Sequence, residues 1–518
     1  MSNKSTSSNR NFFGLFALRL FRSLISIVTL MLSAKYFGVS TERDFWLLAF
    51  NAIVVINLAV WGPINETFRT QFIFIREKEG ESESLYRTSS LLIFTTGVSI
   101  VMVISLILFS STYVSLVAPN RNFSETSLLI FLLHLLAPSL LVNQLTLIMS
   151  SILNAYNIFY VPEIAGLVSS VLNILCLIIL VPSIGIYSLV VSHYLGLFIL
   201  LIFLIYQLKK NNINLFKKPV LFRFQYVKPY LLFALPFFLP YFFGQLNGIA
   251  EKSFASMIGS GTVSILDYSR KFIDIPSSVL LSVLTTILVP ILSQKFVNND
   301  IKEFTKEFTN IFQLGLLVLG TMLAFFTLSA YDVMTFFYAS KNISGQSLLE
   351  ISQISIMYCV GVLSVFVYSI VGLALMSSGK GKIYATCGVT AQISMMVINF
   401  LLYKRLGIYV FPLAWFLAHL IAAAAMIYNI PFMFKSIMKS IIRYGTFISS
   451  MTALSYFLKV HLQQFDNLST IETLIVKSLL FCFLVITSIY LFKLEERFLI
   501  SKGFTDTKKV IFQLLKIQ

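Results

Sequence analysis

Charge is what this chain has least of. Only 12% of its 518 residues are Asp, Glu, Lys or Arg, against roughly 25% in soluble domains. Hydrophobic residues make up 57%, including 50 Phe, so composition alone makes this a membrane protein. Cysteine is scarce too. The four present (Cys176, Cys359, Cys387, Cys482) lie inside apolar runs, without metal-ligand or disulfide-framework spacing, and read as small hydrophobes. The four histidines (His134, His193, His419, His461) are scattered, with no HExxH pattern. Each reads as a core or interfacial side chain. No P-loop, kinase motif or nucleophile elbow occurs, which argues against ATP-driven transport by this chain. Long extramembrane loops rich in carboxylates are lacking as well, which weighs against a membrane glycosyltransferase or polymerase. No catalytic residue, metal or cofactor is expected. Coupling to membrane potential or to an ion is left open.

Long apolar runs are what the chain does have. Crossing about 30 Å of hydrocarbon takes roughly 20 apolar residues. The runs that qualify are 12–37, 45–63, 89–110, 126–156, 161–182, 185–208, 230–258, 262–293, 309–331, 350–377, 383–402, 408–434, 441–459 and 473–492, fourteen expected helices. The first carries Arg19 and Arg22 and has no small-residue cleavage site behind it, so it reads as a membrane helix and not as a signal peptide. The net charge of +17 is not gathered into a nucleic-acid-binding domain. Basic residues collect in the expected loops 64–88 (Arg69, Arg76, Lys78, Arg87), 209–228 (Lys209, Lys210, Lys217, Lys218, Arg223, Lys228) and 435–443 (Lys435, Lys439, Arg443). The opposite loops 111–124, 258–262 and 461–471 hold only Arg121; Lys404 and Arg405 are the exception to the pattern. By the positive-inside rule both termini are expected in the cytoplasm. The tail, 493–518, places Val510, Ile511, Leu514 and Leu515 on one helical face and is expected to lie along the inner surface.

An internal repeat organises these segments. "AKYFGVSTERDFW" from Ala34 matches "ASMIGSGTVSILDY" from Ala255, an offset of 221 residues, pairing Gly38 with Gly259. "LIMSS" ending at Ser151 matches "ALMSS" ending at Ser378, an offset of 227. "GIYSLVVSHYLG" from Gly185 matches "GIYVFPLAWFLAHL" from Gly407, an offset of 222. The expected fold is an all-α polytopic membrane protein of about 14 transmembrane helices. Two six-helix lobes would be related by a pseudo-two-fold axis along the membrane normal, with two extra C-terminal helices. The expected division is 12–208 for the N-lobe, 209–229 for a cytoplasmic linker, 230–434 for the C-lobe, 441–492 for the added helices and 493–518 for the tail.

Charges inside membrane segments are functional candidates by default, because each costs a few kcal/mol or more. "ILDYSRKFIDIPSSVL" packs Asp267, Arg270, Lys271 and Asp274 into one stretch, at spacings that allow mutual pairing along a helix. Pro276 follows, where a kink can form. Glu251 and Lys252 on the preceding helix are possible partners. These residues read either as a helix-entrance ion-pair cluster or as a polar seam lining a cavity between the lobes. Arg19 and Arg22 stand about one helical turn apart in the first segment. They either snorkel to headgroups or hold an anion, for which an arginine fork suits phosphate. Asp44, Glu66, Arg69 and Glu163 lie near segment ends and read as interfacial.

"ASMIGSGTVSILDYSRKFIDIPSSVLLSVLTTILVPILSQ" (255–294), "AKYFGVSTERDFWLLAF" (34–50) and "ILNAYNIFYVPEIAGLVSSVLNI" (152–174) resemble segments of the MurJ/MviN family of lipid II flippases, within the multidrug/oligosaccharidyl-lipid/polysaccharide exporter superfamily. The resemblance implies a bacterial inner-membrane, multi-pass transporter and not an enzyme. It would flip an undecaprenyl-pyrophosphate-linked saccharide by alternating access, either lipid II for peptidoglycan or a surface-polysaccharide unit. It also implies a prenyl-tail groove beside the last two helices. Arginines of the family's first, second and eighth helices are implied to hold the pyrophosphate. Here Arg19 and Arg22 roughly match the first-helix pair, Lys271 stands at the eighth-helix arginine, and Asp274 at its acidic neighbour. The second-helix arginines are absent from "NAIVVINLAV" (51–60). Substrate-binding candidates are therefore Arg19, Arg22, Glu251, Lys252, Arg270, Lys271 and Asp274, with Asp44, Gly38, Gly259 and Pro276 as gating candidates. Membrane lipids and the lipid-linked saccharide are the expected partners, with cell-wall or polysaccharide biosynthesis proteins as further candidates and no nucleic acid. The alternatives are a small organic-cation exporter of the same superfamily, which would want unpaired carboxylates, and a non-transporting scaffold.

Overall fold

The computed structural model describes residues 2–119, 122–156, 158, 160–215, 222–462, 469–492 and 494. Every regular element among them is helical. Hydrocarbon demands this of a chain with long apolar runs, because a helix satisfies its own backbone. In chain order these are α1 (Ser2–Phe37), α2 (Thr41–Glu79), α3 (Glu81–Leu108), α4 (Ser110–Val117), α5 (Phe123–Leu136), α6 (Ser139–Ala155), α7 (Tyr160–Ile184) and α8 (Tyr187–Lys210). There follow α9 (Phe224–Ile258), α10 (Thr262–Val297), α11 (Ile301–Tyr338), α12 (Gly345–Ser377), α13 (Gly381–Leu406), a 3-10 turn (Gly407–Tyr409), α14 (Val410–Tyr428), α15 (Pro431–Leu462) and α16 (Thr470–Leu491). Among the described residues, ten helical stretches are long and apolar enough to cross a membrane. The protein is an all-α polytopic membrane protein.

Several boundaries differ from the sequence expectation, each for a physical reason. α2 runs through Pro63 to Glu79, so most of the expected loop 64–88 is helix. Ile64, Phe68, Phe72 and Ile75 recur at helical spacing and are all buried, which anchors the extension. Gly80, with φ 94°, then makes the turn into α3. The expected helix 126–156 is two helices, α5 and α6, broken at Ala137 and Pro138, where proline removes a backbone donor. Lys435, Lys439 and Arg443 lie on α15 and not in a loop. α10 continues unbroken through Pro276. The expected amphipathic tail, 493–518, falls outside the described residues apart from Leu494.

The chain divides into two compact units. Unit 1 is Met1–Tyr268, Tyr338–Ser347 and Gly388–Ala414; unit 2 is Ser269–Phe337, Leu348–Cys387 and Trp415–Gln518. In unit 1, α2 packs along α9 and against α6. The buried core joins Trp61, Phe68 and Phe72 of α2 to Leu91, Ile152, Leu204 and Tyr230. Tyr230 stacks on Phe68 with centroids 5.5 Å apart. Its hydroxyl lies 3.2 Å from that of Thr88, so the polar tip of a buried ring is satisfied. Near the α2–α3 turn, the Tyr156 hydroxyl donates to Glu81 at 2.6 Å, and Arg76 donates to the Ala155 carbonyl at 3.3 Å. Burial and the Glu81 carboxylate push the Tyr156 phenol well above its usual range.

In unit 2, polar contacts stitch α11 to α15. The Thr309 and Ser436 hydroxyls lie 2.7 Å apart, and the Gln313 amide donates to Ser440 at 3.0 Å. α16 is largely apolar and exposed, but its one lysine is not. Lys477 donates to Asp332 of α11 at 2.6 Å, with both side chains mostly buried. Phe481 meets Phe325 edge-on nearby, at 5.3 Å. Either charge alone would be far costlier in hydrocarbon than the pair. Lys477→Met is therefore expected to cost roughly 3–5 kcal/mol, read as a lower thermal midpoint of the detergent-purified protein. Adding Asp332→Leu should recover most of that loss. A double variant no more stable than the single one would show that the pair does not anchor α16.

Candidate functional site

The turn between α1 and α2 organises a buried polar cluster of unit 1. Gly38 ends α1 in the left-handed region, at φ 58°, where an L side chain is strained. Ser40 then caps α2, accepting from the Arg43 N–H at 3.3 Å. This places Arg43 and Asp44 in the first turn of α2. An arginine there faces the positive end of the helix dipole and needs an acid elsewhere. Asp267 of α10 supplies it: Nη2 of Arg43 lies 2.9 Å from the carboxylate, and the arginine side chain is only 4% exposed. Nη1 of Arg43 donates to Ser33. The guanidinium carbon stands 4.2 Å from the Tyr268 ring centre, a cation–π contact.

Asp44 is fully enclosed and acts as a cap for another helix. Its carboxylate accepts from the Gly261 N–H at 2.6 Å, the Ser264 N–H at 2.8 Å and the Ser264 hydroxyl at 2.6 Å. These are the orphan donors at the start of α10, and the dipole there favours a negative charge. The Tyr268 hydroxyl donates back to the Gly38 carbonyl at 3.0 Å, and Tyr338 donates to the Tyr268 carbonyl at 3.2 Å. Gly261, at φ 82°, is the glycine that shares the left-handed backbone of Gly38, whereas Gly259 at φ 171° is extended. Gly38 and Gly261 precede Asp44 and Asp267 by the same spacing, whereas the sequence repeat is expected to pair Gly38 with Gly259.

Arg22 lies elsewhere in unit 1, on α1. Its side chain is 50% exposed, and its pair with Glu163 of α7 is long, at 3.7 Å. The guanidinium rests on Gly166, where an added Cβ would stand 3.0 Å from Nη1. The side chain of Arg19 lies outside the described residues. Glu251 and Lys252 are half-buried on α9.

In unit 2, Asp274 pairs with Arg270 on the same helix, at 3.2 Å, and not with Lys271. Arg270 also stands 5.2 Å from the Trp415 ring centre and 5.9 Å from that of Tyr358. Lys271 is exposed, and no ion pair among the described residues includes it. Unit 2 also contains an apolar groove of about 860 Å³ between α11, α12, α14 and α15, lined by Leu316, Val360, Val367, Ala423, Ile448 and Tyr456 among others. Among the described residues, no group of three or more His, Cys, Asp or Glu could hold a metal ion.

The family model for the lipid II flippase MurJ matches residues 33–499. The chain belongs to the MurJ family. Among similar proteins, a probable lipid II flippase MurJ of Rickettsia prowazekii is 26% identical over 58% of this chain, and one of Buchnera aphidicola subsp. Schizaphis graminum is 29% identical over 55%. The aligned stretches span 62% and 59% of those relatives' own lengths. A solved structure described as lipid II flippase MurJ in an inward closed conformation shares the fold. Its TM-score is 0.74 at 20% identity, covering 94% of this chain and 99% of that one. An inward-facing multidrug-resistance MATE transporter shares it more distantly, with a TM-score of 0.67 at 13% identity over 85% of this chain and 99% of that one.

Arg43, a buried charge of this cluster, is not among the candidates that the sequence yields. Its signal was the "ERD" of the α2 first turn, where a cation sits against the dipole. Asp44 read as interfacial yet is buried, because its partners are the backbone donors of a helix far away in sequence. Asp44→Ala is expected to leave the two α10 amides without their acceptor, costing about 1–3 kcal/mol for each group left unsatisfied. Asp44→Asn, which keeps an acceptor oxygen, should lose less. Thermal midpoints in detergent check this; equal midpoints for Asp44→Ala and the parent would refute the capping role.

Proposed function

We propose that this protein is a flippase that moves an undecaprenyl-pyrophosphate-linked saccharide across the bacterial cytoplasmic membrane by alternating access, with lipid II as the favoured cargo. Arg22 carries the reading. In a MurJ-family chain it offers a half-exposed guanidinium whose acidic partner is 3.7 Å away, well beyond the 2.7–2.9 Å of a tight charge-assisted bond. That fork can take a phosphate. Lys271 offers a second exposed cation on α10, and Arg19 is assigned the same role. Glu251, Lys252, Arg270 and Asp274 would balance charge when no cargo is bound. The groove in unit 2 has the size and the apolar lining that a single prenyl chain needs.

The architecture behind this reading is fourteen crossing helices with both termini cytoplasmic. Residues 12–208 and 230–434 would form the repeated lobes, with 441–492 added and 209–229 linking the lobes on the inner side. Matched backbone at repeated glycines supports the repeat: Gly38 and Gly261 both have positive φ, as do Gly185 and Gly407 at 54° and 55°. Asp44, Gly38 and Pro276 are proposed to take part in gating.

The test is translocation of lipid II in proteoliposomes. Arg22→Ala should lower the rate about tenfold or more, since a charge-assisted bond is worth roughly 1.5–3 kcal/mol. Arg22→Lys should fall between, because a point charge lacks the fork. Parental flipping by the Arg22→Ala/Lys271→Ala double variant would overturn the assignment of the phosphate to these two cations, and no movement of lipid II by the parent would overturn the cargo assignment. Transport of organic cations with no movement of lipid II would favour the exporter alternative.

A further inference from the structure

The segment Tyr338–Ser347, which joins α11 to α12, packs within unit 1, although the stretches of α11 and α12 on either side of it belong to unit 2. Inside unit 1 it lies on the end of α1. The last carbonyls of a helix have no donor within that helix. Here the loop provides donors: Ser340 donates to the Ala34 carbonyl at 3.3 Å, and the Asn342 side-chain amide donates to the carbonyls of Lys35 at 2.8 Å and Tyr36 at 3.1 Å. The Asn342 carbonyl in turn accepts from the Val39 N–H at 3.4 Å. Gly38 leaves no space for a side chain at this contact, since an added Cβ would stand 2.1 Å from the Asn342 carbonyl oxygen. On its other side the turn is closed by Gly261, where an added Cβ would run into the Val39 side chain.

We propose that Asn342 is a positioning residue that latches the α1–α2 turn as a borrowed C-cap, and that its release opens this end of unit 1. The proposal rests on the alternating-access reading given above. Two features distinguish a latch from ordinary packing. The neighbouring Ile343 is buried and anchors the loop, whereas Asn342 itself is exposed. Water can therefore replace its two bonds once the end opens, so the closed form is held without being trapped. The turn that it grips also sets the direction of α1, which carries Arg22, and the first turn of α2, which carries Arg43 and Asp44.

The test uses the full chain with the exposed Cys482 replaced by Ser, and cysteine reporters at two buried positions of unit 1. Val263→Cys lies at the start of α10, beside the latch; Ile75→Cys lies towards the far end of α2. Maleimide labelling is measured in each background. Asn342→Asp keeps the shape but presents an acceptor to carbonyls, and Asn342→Ala removes the side chain. Both should raise labelling at Val263→Cys about tenfold, as expected for losing two exposed hydrogen bonds, and leave Ile75→Cys unchanged. Unchanged labelling at Val263→Cys, or equal increases at both reporters, would overturn the latch. Lipid II translocation by the parent is scored separately: its failure would remove the flippase reading while leaving the labelling result to decide the latch.

Discussion

A carboxylate from one helix completes the beginning of another: Asp44 of α2 closes the N-terminus of α10. Much of the polar end of unit 1 follows from that one interaction. Helix ends inside an apolar protein carry orphan donors and acceptors that water cannot reach. Each must be met by a group from elsewhere in the chain. With Asp44 committed to the α10 amides, Arg43 beside it cannot use its neighbour as a counter-ion. It reaches Asp267 and the face of Tyr268 instead. Tyr268, so placed, returns its hydroxyl to the Gly38 carbonyl at the close of α1. The helix ends here are finished by one another, while the loop at Asn342 fills the space where a side chain at Gly38 would stand.

The same constraint explains the four charges of "ILDYSRKFIDIP". Their spacing allows pairing among themselves, yet the structure divides them. Asp267 lies in unit 1 and pairs with Arg43, while Arg270 and Asp274 lie in unit 2 and pair with each other. Arg270 also lies near the rings of Trp415 and Tyr358. Lys271 is exposed. A single helix thus carries one charge used for closure, one internally neutral pair and one cation outside both.

What the sequence made legible was whatever depends on local pattern. The apolar runs located the helices, since their length is set by hydrocarbon thickness. Resemblance in three short segments named the family. The misses share a cause, which is that long-range partners leave no local mark. The loop expected at 64–88 is helix because Phe68, Phe72 and Ile75 find a core made by α3, α6, α8 and α9. Asp44 looked interfacial because its acceptors' partners lie more than two hundred residues on, at Gly261 and Ser264. Lys477 sat unremarked in an apolar helix until Asp332 appeared beside it. Arg22 is a candidate from the sequence, but nothing in the sequence indicates that Gly166 lies beneath its guanidinium.

In the proposed flippase, the Arg22–Glu163 pair would make capture of an anion mild enough to reverse. A translocator that binds its cargo equally tightly in every state moves nothing; only a difference between states drives the change. An arginine with no counter-ion would hold a pyrophosphate too firmly and would be costly when empty. An arginine locked to an acid at hydrogen-bond distance would not release it. At 3.7 Å and half-exposed, the Arg22 pair lies between these limits, in the range where an exposed ion pair is worth about 1 kcal/mol or less. Under that proposal cargo binding would be an exchange of one anion for another on the same fork, and its free energy would depend on how far Glu163 withdraws. The absence of second-helix arginines pushes in the same direction. With "NAIVVINLAV" in their place and Lys271 offering a point charge in place of a fork, the proposed flippase would grip phosphate with fewer directional bonds. More of the selectivity for its cargo would then fall on the apolar groove and on the sugar.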